Sequence, residues 1–118
     1  MSPSARTLKY FKDNDIPAGV VDRWIPQANK RVDLFGFIDI IAMYPDAIVG
    51  VQCTSGSNHS SHKTKILASD KSLQWLGLGR IELWSWEKKL YKTGGKAVRW
   101  TPKVENITKD SYVEKVED

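Results

Sequence analysis

The sequence predicts an α/β protein in which helices flank a mixed central sheet, and three features favour this fold. Residues 35–44 and 47–55 are apolar runs of strand length, joined by a turn at Pro45–Asp46. Residues 59–77 carry apolar side chains at helical spacing, and residues 80–88 alternate as a strand does. A long helical segment between strands is typical of a sheet covered by helices.

The remaining segments predict one more helix and two more strands. A helix is expected over residues 5–14, capped by Ser4, and short strands are expected over 19–25 and 97–102. The 59–77 helix is expected to break near Ser69 and Asp70.

Length and composition indicate a single ordinary globular domain, residues 1–102, followed by a polar tail, residues 103–118. No apolar run is long enough to span a membrane, and the N-terminus has no apolar segment of the secretory type. The chain has one cysteine, Cys53, so an internal disulfide is excluded. We therefore expect a reducing, cytoplasmic setting.

The charge of the chain is uneven. The net charge is +4, but residues 103–118 hold three lysines and five acids, so residues 1–102 carry a net charge of +6. A basic body favours nucleic acid or another polyanion as partner, and an ordinary soluble surface with excess lysine is the alternative. We expect most of the five tryptophans in the core or covering an edge of the sheet, with base stacking as the alternative role.

Polar residues interrupt the two central strands. Asp39 lies among apolar residues, and Gln52 and Thr54 share one side of the next strand while Cys53 faces the other. Pairing across the turn joins residue 43 with 48, 41 with 50 and 39 with 52, which places Asp39 opposite Gln52. Carboxylate, amide and backbone carbonyl oxygens, the last from Cys53, are ligands that Mg²⁺ or Mn²⁺ prefers.

Simpler interpretations of these residues remain open. Asp39 can instead hydrogen-bond a loop amide or pair with Lys30 or Arg31, since a buried carboxylate requires a partner. His59 and His62 lack enough further ligands for a zinc site, so capping and loop roles are expected for them. No phosphate-binding loop or dinucleotide fingerprint is present, so no nucleotide cofactor is expected.

The motif "GFIDIIA", followed thirteen positions after its Asp by "QCT", resembles the core of the PD-(D/E)XK nuclease superfamily. The similarity is greatest to Holliday-junction-resolvase-like members and small phage-type nucleases, and it covers about residues 5–90. It implies a restriction-endonuclease-like sheet with a helix-strand-strand-strand-helix-strand core. It also implies an Mg²⁺- or Mn²⁺-dependent DNA endonuclease, acting on branched DNA in recombination as a homodimer. A virus-encoded protein of this kind acts in the cytoplasm of its host.

In such nucleases the strand Asp binds the metal, and this role carries over to Asp39. The sequence departs from the family pattern twice, because Gln52 stands where an acid is usual and Thr54 where a lysine is usual. Lys63 or Lys65 on the following helix, or Lys30 or Arg31 in the preceding loop, can replace that lysine, and Asp22 or Asp33 can supply a further acid. The expected DNA-binding residues are Lys30, Arg31, Ser55, Ser57, Asn58, Lys63 and Lys65. Because of the departures, the alternative function is a nuclease-fold module that binds nucleic acid without cutting it.

Overall fold

The computed structural model describes residues 1–113, which form four α-helices and seven strands. The helices are α1 (Pro3–Asp13), α2 (His59–Ala68), α3 (Ser72–Leu76) and α4 (Lys109–Val113). The strands are β1 (Ala18–Val20), β2 (Arg23–Ile25), β3 (Lys30–Val32), β4 (Ile40–Tyr44), β5 (Ala47–Ser55), β6 (Arg80–Leu90) and β7 (Val98–Ile107). No helix among the described residues has the length and apolarity needed to cross a bilayer.

Five strands form one mixed sheet in the order β1-β4-β5-β6-β7. β5 and β6 are parallel and are connected through α2 and α3, whereas the other neighbouring pairs are antiparallel. β2 and β3 form a separate two-stranded hairpin between β1 and β4. The predicted mixed sheet flanked by helices is thus confirmed.

The central hairpin has the register that the sequence predicts. Met43 pairs with Ile48 and Ile41 pairs with Gly50. The strand predicted to begin at residue 35 begins instead at Ile40, because the chain turns just before it. Phe35 and Gly36 take positive φ angles of 55° and 84° there, a backbone region that only glycine adopts without strain.

Both faces of the sheet are buried, and each face has its own helix. On the α1 face, Phe11 of the helix packs against a group of sheet residues that includes Trp84 and Trp86. On the α2 face, Ile66 of the helix packs with Ile81 and Leu83. The alternation of β6 is therefore confirmed, but both of its sides lie in a core.

The tryptophans divide between core and surface. Trp84 and Trp86 are buried, as expected for most of the five. Trp75 is half-buried and donates its indole N–H to the carbonyl of Arg80 at 2.8 Å. Trp24 and Trp100 are exposed, and Trp100 lies on β7, an edge strand of the sheet, where a covering role was the other expectation.

Other element boundaries differ from those predicted. The strand expected over 19–25 is two strands, because the N–H of Val21 donates to the carbonyl of Asp39 at 2.9 Å and the chain leaves the sheet there. Ser2, rather than Ser4, caps α1 by accepting from the N–H of Ala5 at 3.1 Å. The helix expected over 59–77 divides into α2 and α3, as predicted.

The boundary expected at residue 102 is wrong, because β7 runs through it. Ile107 at the end of β7 is buried in the α2-face core. The hydroxyl of Tyr112 on α4 donates to Ser72 Oγ on α3 at 2.6 Å, and this hydrogen bond joins the two helices. Residues 114–118 of the expected tail lie outside the described residues.

Candidate metal centre

Three carboxylates converge at the α2 side of the sheet. Asp22, Asp33 and Asp39 each present an oxygen, and these oxygens lie within 4.8 Å of one another. Asp22 precedes β2 and Asp33 follows β3, so the two ends of the β2–β3 hairpin bring two acids to the start of β4. The sequence offered Asp22 or Asp33 as a further ligand, and the structure places both beside Asp39.

Two of the three acids are neutralised by cations. Arg31 pairs with Asp22 at 3.0 Å, and the ammonium of Lys65 contacts Asp33. Among the described residues Asp39 has no cationic partner, although it is only 7% exposed. Neutral groups solvate it instead, because Gln52 Nε2 and the backbone N–H of Cys53 both donate to its Oδ2 at 2.9 Å. The alternative in which Asp39 pairs with Lys30 or Arg31 is therefore wrong.

Burial and mutual contact shift the pKa values of Asp39 and Asp33 in opposite directions. Burial, together with the hydrogen bond to Asp33, raises the pKa of Asp39 to about 8. Burial acts in the same direction on Asp33, but hydrogen bonds from Asp39 and Lys65 outweigh it and hold the pKa of Asp33 below its ordinary value. The raised pKa of Asp39 favours its protonated form near neutral pH, whereas the lowered pKa of Asp33 favours its carboxylate form.

Gln52 faces the acids through its nitrogen. Nε2 donates to the carbonyl of Phe37 at 2.9 Å, to Asp39 at 2.9 Å and to Asp33 at 3.3 Å. A backbone carbonyl can only accept, so the amide nitrogen must point towards it. The predicted meeting of Asp39 and Gln52 is confirmed, but the amide oxygen expected as a metal ligand is turned away and lies 2.8 Å from His62 Nδ1.

His62 is the site residue that sequence reasoning missed. Its ring contacts the oxygen of Gln52 from the first turns of α2, and that oxygen requires a proton on Nδ1. Burial, helped by the charge of Lys65, lowers the pKa of His62, which favours the neutral ring. The available signal was the position of His62 on the helix that directly follows β5.

Among the residues proposed to supply the missing cation, Lys65 and Arg31 lie at the carboxylates, with Lys65 against Asp33 and Arg31 against Asp22. Lys63 instead pairs with Glu105 at 2.8 Å. Thr54 is buried beside Ser85 on β6. Cys53 brings its backbone N–H, rather than its carbonyl, to Asp39. Its thiol packs on the α1 face, where burial raises its pKa to about 12.

The other expected DNA-binding residues lie on the β2–β3 hairpin and in the loop after β5. Lys30 is exposed on the β2–β3 hairpin, whereas Arg31 is engaged by Asp22. The loop after β5 is closed on itself, because Asn58 Nδ2 donates to Ser55 Oγ at 3.0 Å and that Oγ lies 3.4 Å from Ser57 Oγ. Neither Ser55 nor Asn58 makes a side-chain capping hydrogen bond to the helical turn that follows it, so these side chains stabilise the loop itself.

A second polar cluster lies on the same face. His59 Nδ1 is 2.7 Å from Ser85 Oγ, and His59 Nε2 is 2.8 Å from Glu105 Oε1. The residue types are those of a hydrolytic triad, but Ser85 is 0% exposed and no substrate can reach its hydroxyl. The cluster therefore ties α2 to β6 and β7.

The comparisons with known proteins give no relative for this chain. No protein-family model matches it, and no curated protein or solved structure was matched in our searches. The function must therefore be argued from the geometry of the site.

Proposed function

We propose that the chain is an Mg²⁺- or Mn²⁺-dependent DNA endonuclease with a restriction-endonuclease-like core of the PD-(D/E)XK type. The observation that carries this proposal is the buried carboxylate of Asp39, which lacks a cationic partner in the described chain and faces two further acids within 4.8 Å. Ionising a buried carboxyl group without a counter-charge is costly, which is why the pKa of Asp39 is raised, and a bound divalent ion would supply that counter-charge.

The order and placement of the elements support the nuclease proposal. α1, β1, β4, β5, α2 and β6 follow the helix-strand-strand-strand-helix-strand order expected of that core, with the β2–β3 hairpin inserted. Asp39 lies at the entry of β4 and Gln52 lies on the paired β5, as the resemblance requires.

The carboxylates have spacings close to those of a hard-ion site. Ligand oxygens of an octahedral ion at about 2.1 Å lie about 3.0 or 4.2 Å apart. The oxygens of Asp22, Asp33 and Asp39, all within 4.8 Å of one another, need only a small contraction to reach these values. When bound, the ion lowers the pKa of a water molecule and neutralises phosphate oxygens.

Lys65 is the proposed replacement for the absent motif lysine. Its ammonium contacts Asp33, so it already lies at the edge of the carboxylate group. Asp22, Asp33 and Asp39 would hold the ion, which would supply positive charge and an activated water, and Lys65 beside Asp33 would add a second positive charge for the phosphate. A second copy of the chain, as expected for branched DNA, provides two such sites related by symmetry.

Two features of the site favour a second function. Gln52 offers its amide nitrogen to the acids, and Lys65 already compensates Asp33. Both features suit a nuclease fold that binds nucleic acid and does not cut it.

Cleavage assays separate these two functions. Purified protein is incubated with linear duplex and four-way-junction DNA in Mg²⁺, Mn²⁺ or EDTA. We expect cleavage only with a divalent ion, and loss of cleavage in Asp39→Ala and Asp33→Asn. The control is Asp70→Asn, because Asp70 is 88% exposed and is not one of the three converging carboxylates.

Two outcomes contradict the nuclease proposal. Cleavage by Asp39→Ala at the wild-type rate removes Asp39 from the mechanism. Salt-dependent DNA binding with no cleavage by the wild type in either ion selects the binding module instead.

A further inference from the structure

β6 and β7 continue past the five-stranded sheet as a two-stranded ribbon, residues 87–101, which we call the arm. The pairing of β5 with β6 ends at Ser55 and Trp86. The pairing of β6 with β7 continues from Glu87 opposite Thr101 to Leu90 opposite Val98. Residues 87–94 and 96–100 are exposed, so the arm projects from the sheet.

The arm concentrates positive charge. It contains one acid, Glu87, and five cations, which are Lys88, Lys89, Lys92, Lys96 and Arg99. Within the described part of the chain, none of these five forms an ion pair. A net charge of +4 on a short projecting ribbon is the electrostatic footprint of a polyanion-binding surface.

Two of the cations face each other across the ribbon. Lys89 is paired directly with Arg99 in the β6–β7 register. Like charges in directly opposed positions destabilise a strand pair, and no described acid forms an ion pair with either side chain. This local cost is relieved when an anion lies over the pair.

The arm and the carboxylates are at the same end and on the same face of the sheet. Lys89 follows Leu83 and Ser85 in alternation, which places it on the α2 face together with Gln52. Asp39 and Gln52 lie towards the end of β5 from which the arm projects. The cations of the arm that share the face of Lys89 are therefore on the same side of the sheet as the carboxylates.

We propose that the arm binds double-stranded DNA by entering its major groove. This proposal rests on the proposed function, since it names the substrate class of the same site. The major groove of B-form DNA, about 12 Å wide and 8.5 Å deep, admits a two-stranded ribbon. Four paired positions at about 3.3 Å per residue give the arm a length of about 13 Å before its turn, which exceeds that depth.

The same geometry excludes double-stranded RNA as the preferred ligand. The major groove of an A-form helix is deep and too narrow for side chains to read. Arg99 and the lysines of the arm have the donors that contact phosphates and the O6 and N7 atoms of guanine. Tyr91, 64% exposed near the turn, lies under the Arg99 guanidinium, which is 5.5 Å from its ring centroid, so the ring helps to position that cation.

The test compares DNA binding by two variants with equal net charge. One is Lys89→Ala/Arg99→Ala, and its control is Lys12→Ala/Lys109→Ala, which removes two exposed cations elsewhere. Binding to a fluorescent 20-base-pair duplex is measured by anisotropy in EDTA across a salt series. Loss of two phosphate contacts lowers the log–log salt slope by about 1.8 and weakens binding by up to about 60-fold at 0.1 M salt.

A third variant separates binding from folding. Lys89→Glu places an acid opposite Arg99, so we expect an unchanged or higher Tm together with weaker DNA binding. We also expect wild-type protein to protect guanine N7 from methylation by dimethyl sulfate and to bind duplex RNA more weakly than duplex DNA. Both effects should shrink in Lys89→Glu.

The results that overturn the arm proposal differ from those that overturn the nuclease proposal. The arm proposal fails if the arm variant and its control bind duplex DNA equally, whatever the cleavage result. It also fails if phosphatidylserine vesicles show the same arm dependence while duplex DNA does not. Arm-dependent DNA binding by a protein that never cleaves supports the arm and rejects only the nuclease.

Discussion

Asp39→Asn tests the electrostatics of the carboxylate group most directly. An asparagine has the shape of a protonated aspartate, so its oxygen accepts from Gln52 and Cys53 and its nitrogen donates to Asp33. The substitution thus keeps the hydrogen bonds of the neutral group and removes its charge. In the absence of a divalent ion we expect the variant to be more stable than the wild type.

The magnitude follows from the spacing of the acids. Two unit charges 4.8 Å apart repel by about 3 kcal/mol at an effective dielectric constant of ~20. Removing the Asp39 charge should therefore raise the free energy of unfolding by about 3 kcal/mol when Asp39 is ionised. Below pH 4, where Asp39 is protonated in both the folded and the unfolded chain, the two proteins should have nearly equal stability.

The pH dependence has a definite sign. The pKa of Asp39 is raised from 3.8 to about 8 in the folded chain, so the folded state binds more protons than the unfolded state between these values. The stability that Asp39 lends the wild type is full below pH 4 and is lost as the pH rises to 8. The advantage of Asp39→Asn should thus grow across this range and stay constant above it.

The measurement is urea unfolding at half-unit steps from pH 4 to pH 9, without and with Mn²⁺. Mn²⁺ at 100 times its dissociation constant should stabilise the wild type by about 2.7 kcal/mol and leave Asp39→Asn unchanged. Asp70→Asn serves as the control on the surface. A variant that is less stable than the wild type at every pH would refute the reasoning, because Asp39 would then be a favourably bound anion.

Two further predictions concern neighbouring groups. Gln52→Glu removes the donor to the Phe37 carbonyl and adds a fourth acid to the site. We expect the free energy of unfolding without metal to fall by about 1–3 kcal/mol and Mn²⁺ binding, measured by calorimetry, to become tighter. Weaker Mn²⁺ binding would contradict the proposed metal site. His59→Phe leaves the buried Ser85 hydroxyl without its hydrogen-bond partner, so urea unfolding should show a free energy of unfolding lower by about 2 kcal/mol. The folded variant should keep the wild-type cleavage rate, and a loss of cleavage would assign the cluster a catalytic role.

The sequence was most informative where local rules decide the outcome. Alternation in β6, the turn at Pro45–Asp46 and the apolar length of β5 are local properties, and the hairpin register followed from them. Asp39 and Gln52 were paired correctly because strand register is a counting problem. The division of residues 19–25 was not visible, because it depends on a backbone contact to Asp39 from outside the segment.

The chemistry of the site depended on contacts distant in sequence. The orientation of Gln52 is set by the carbonyl of Phe37 and by His62, and the pairing of Lys65 with Asp33 spans 32 positions. No local pattern indicates which amide atom faces an acid.

The sequence by itself determined the mixed sheet, its central register and the presence of a lone acid in an apolar setting, because alternation and turn chemistry act over a few residues. Only the tertiary structure decided that Asp22 and Asp33 join Asp39, and that the cationic arm projects on the same side. The physical reason is that the burial of an acid and the ion pairs it forms depend on residues that are distant in sequence. Which acid lacks a cationic partner is therefore known only when the positions of all nearby cations are known.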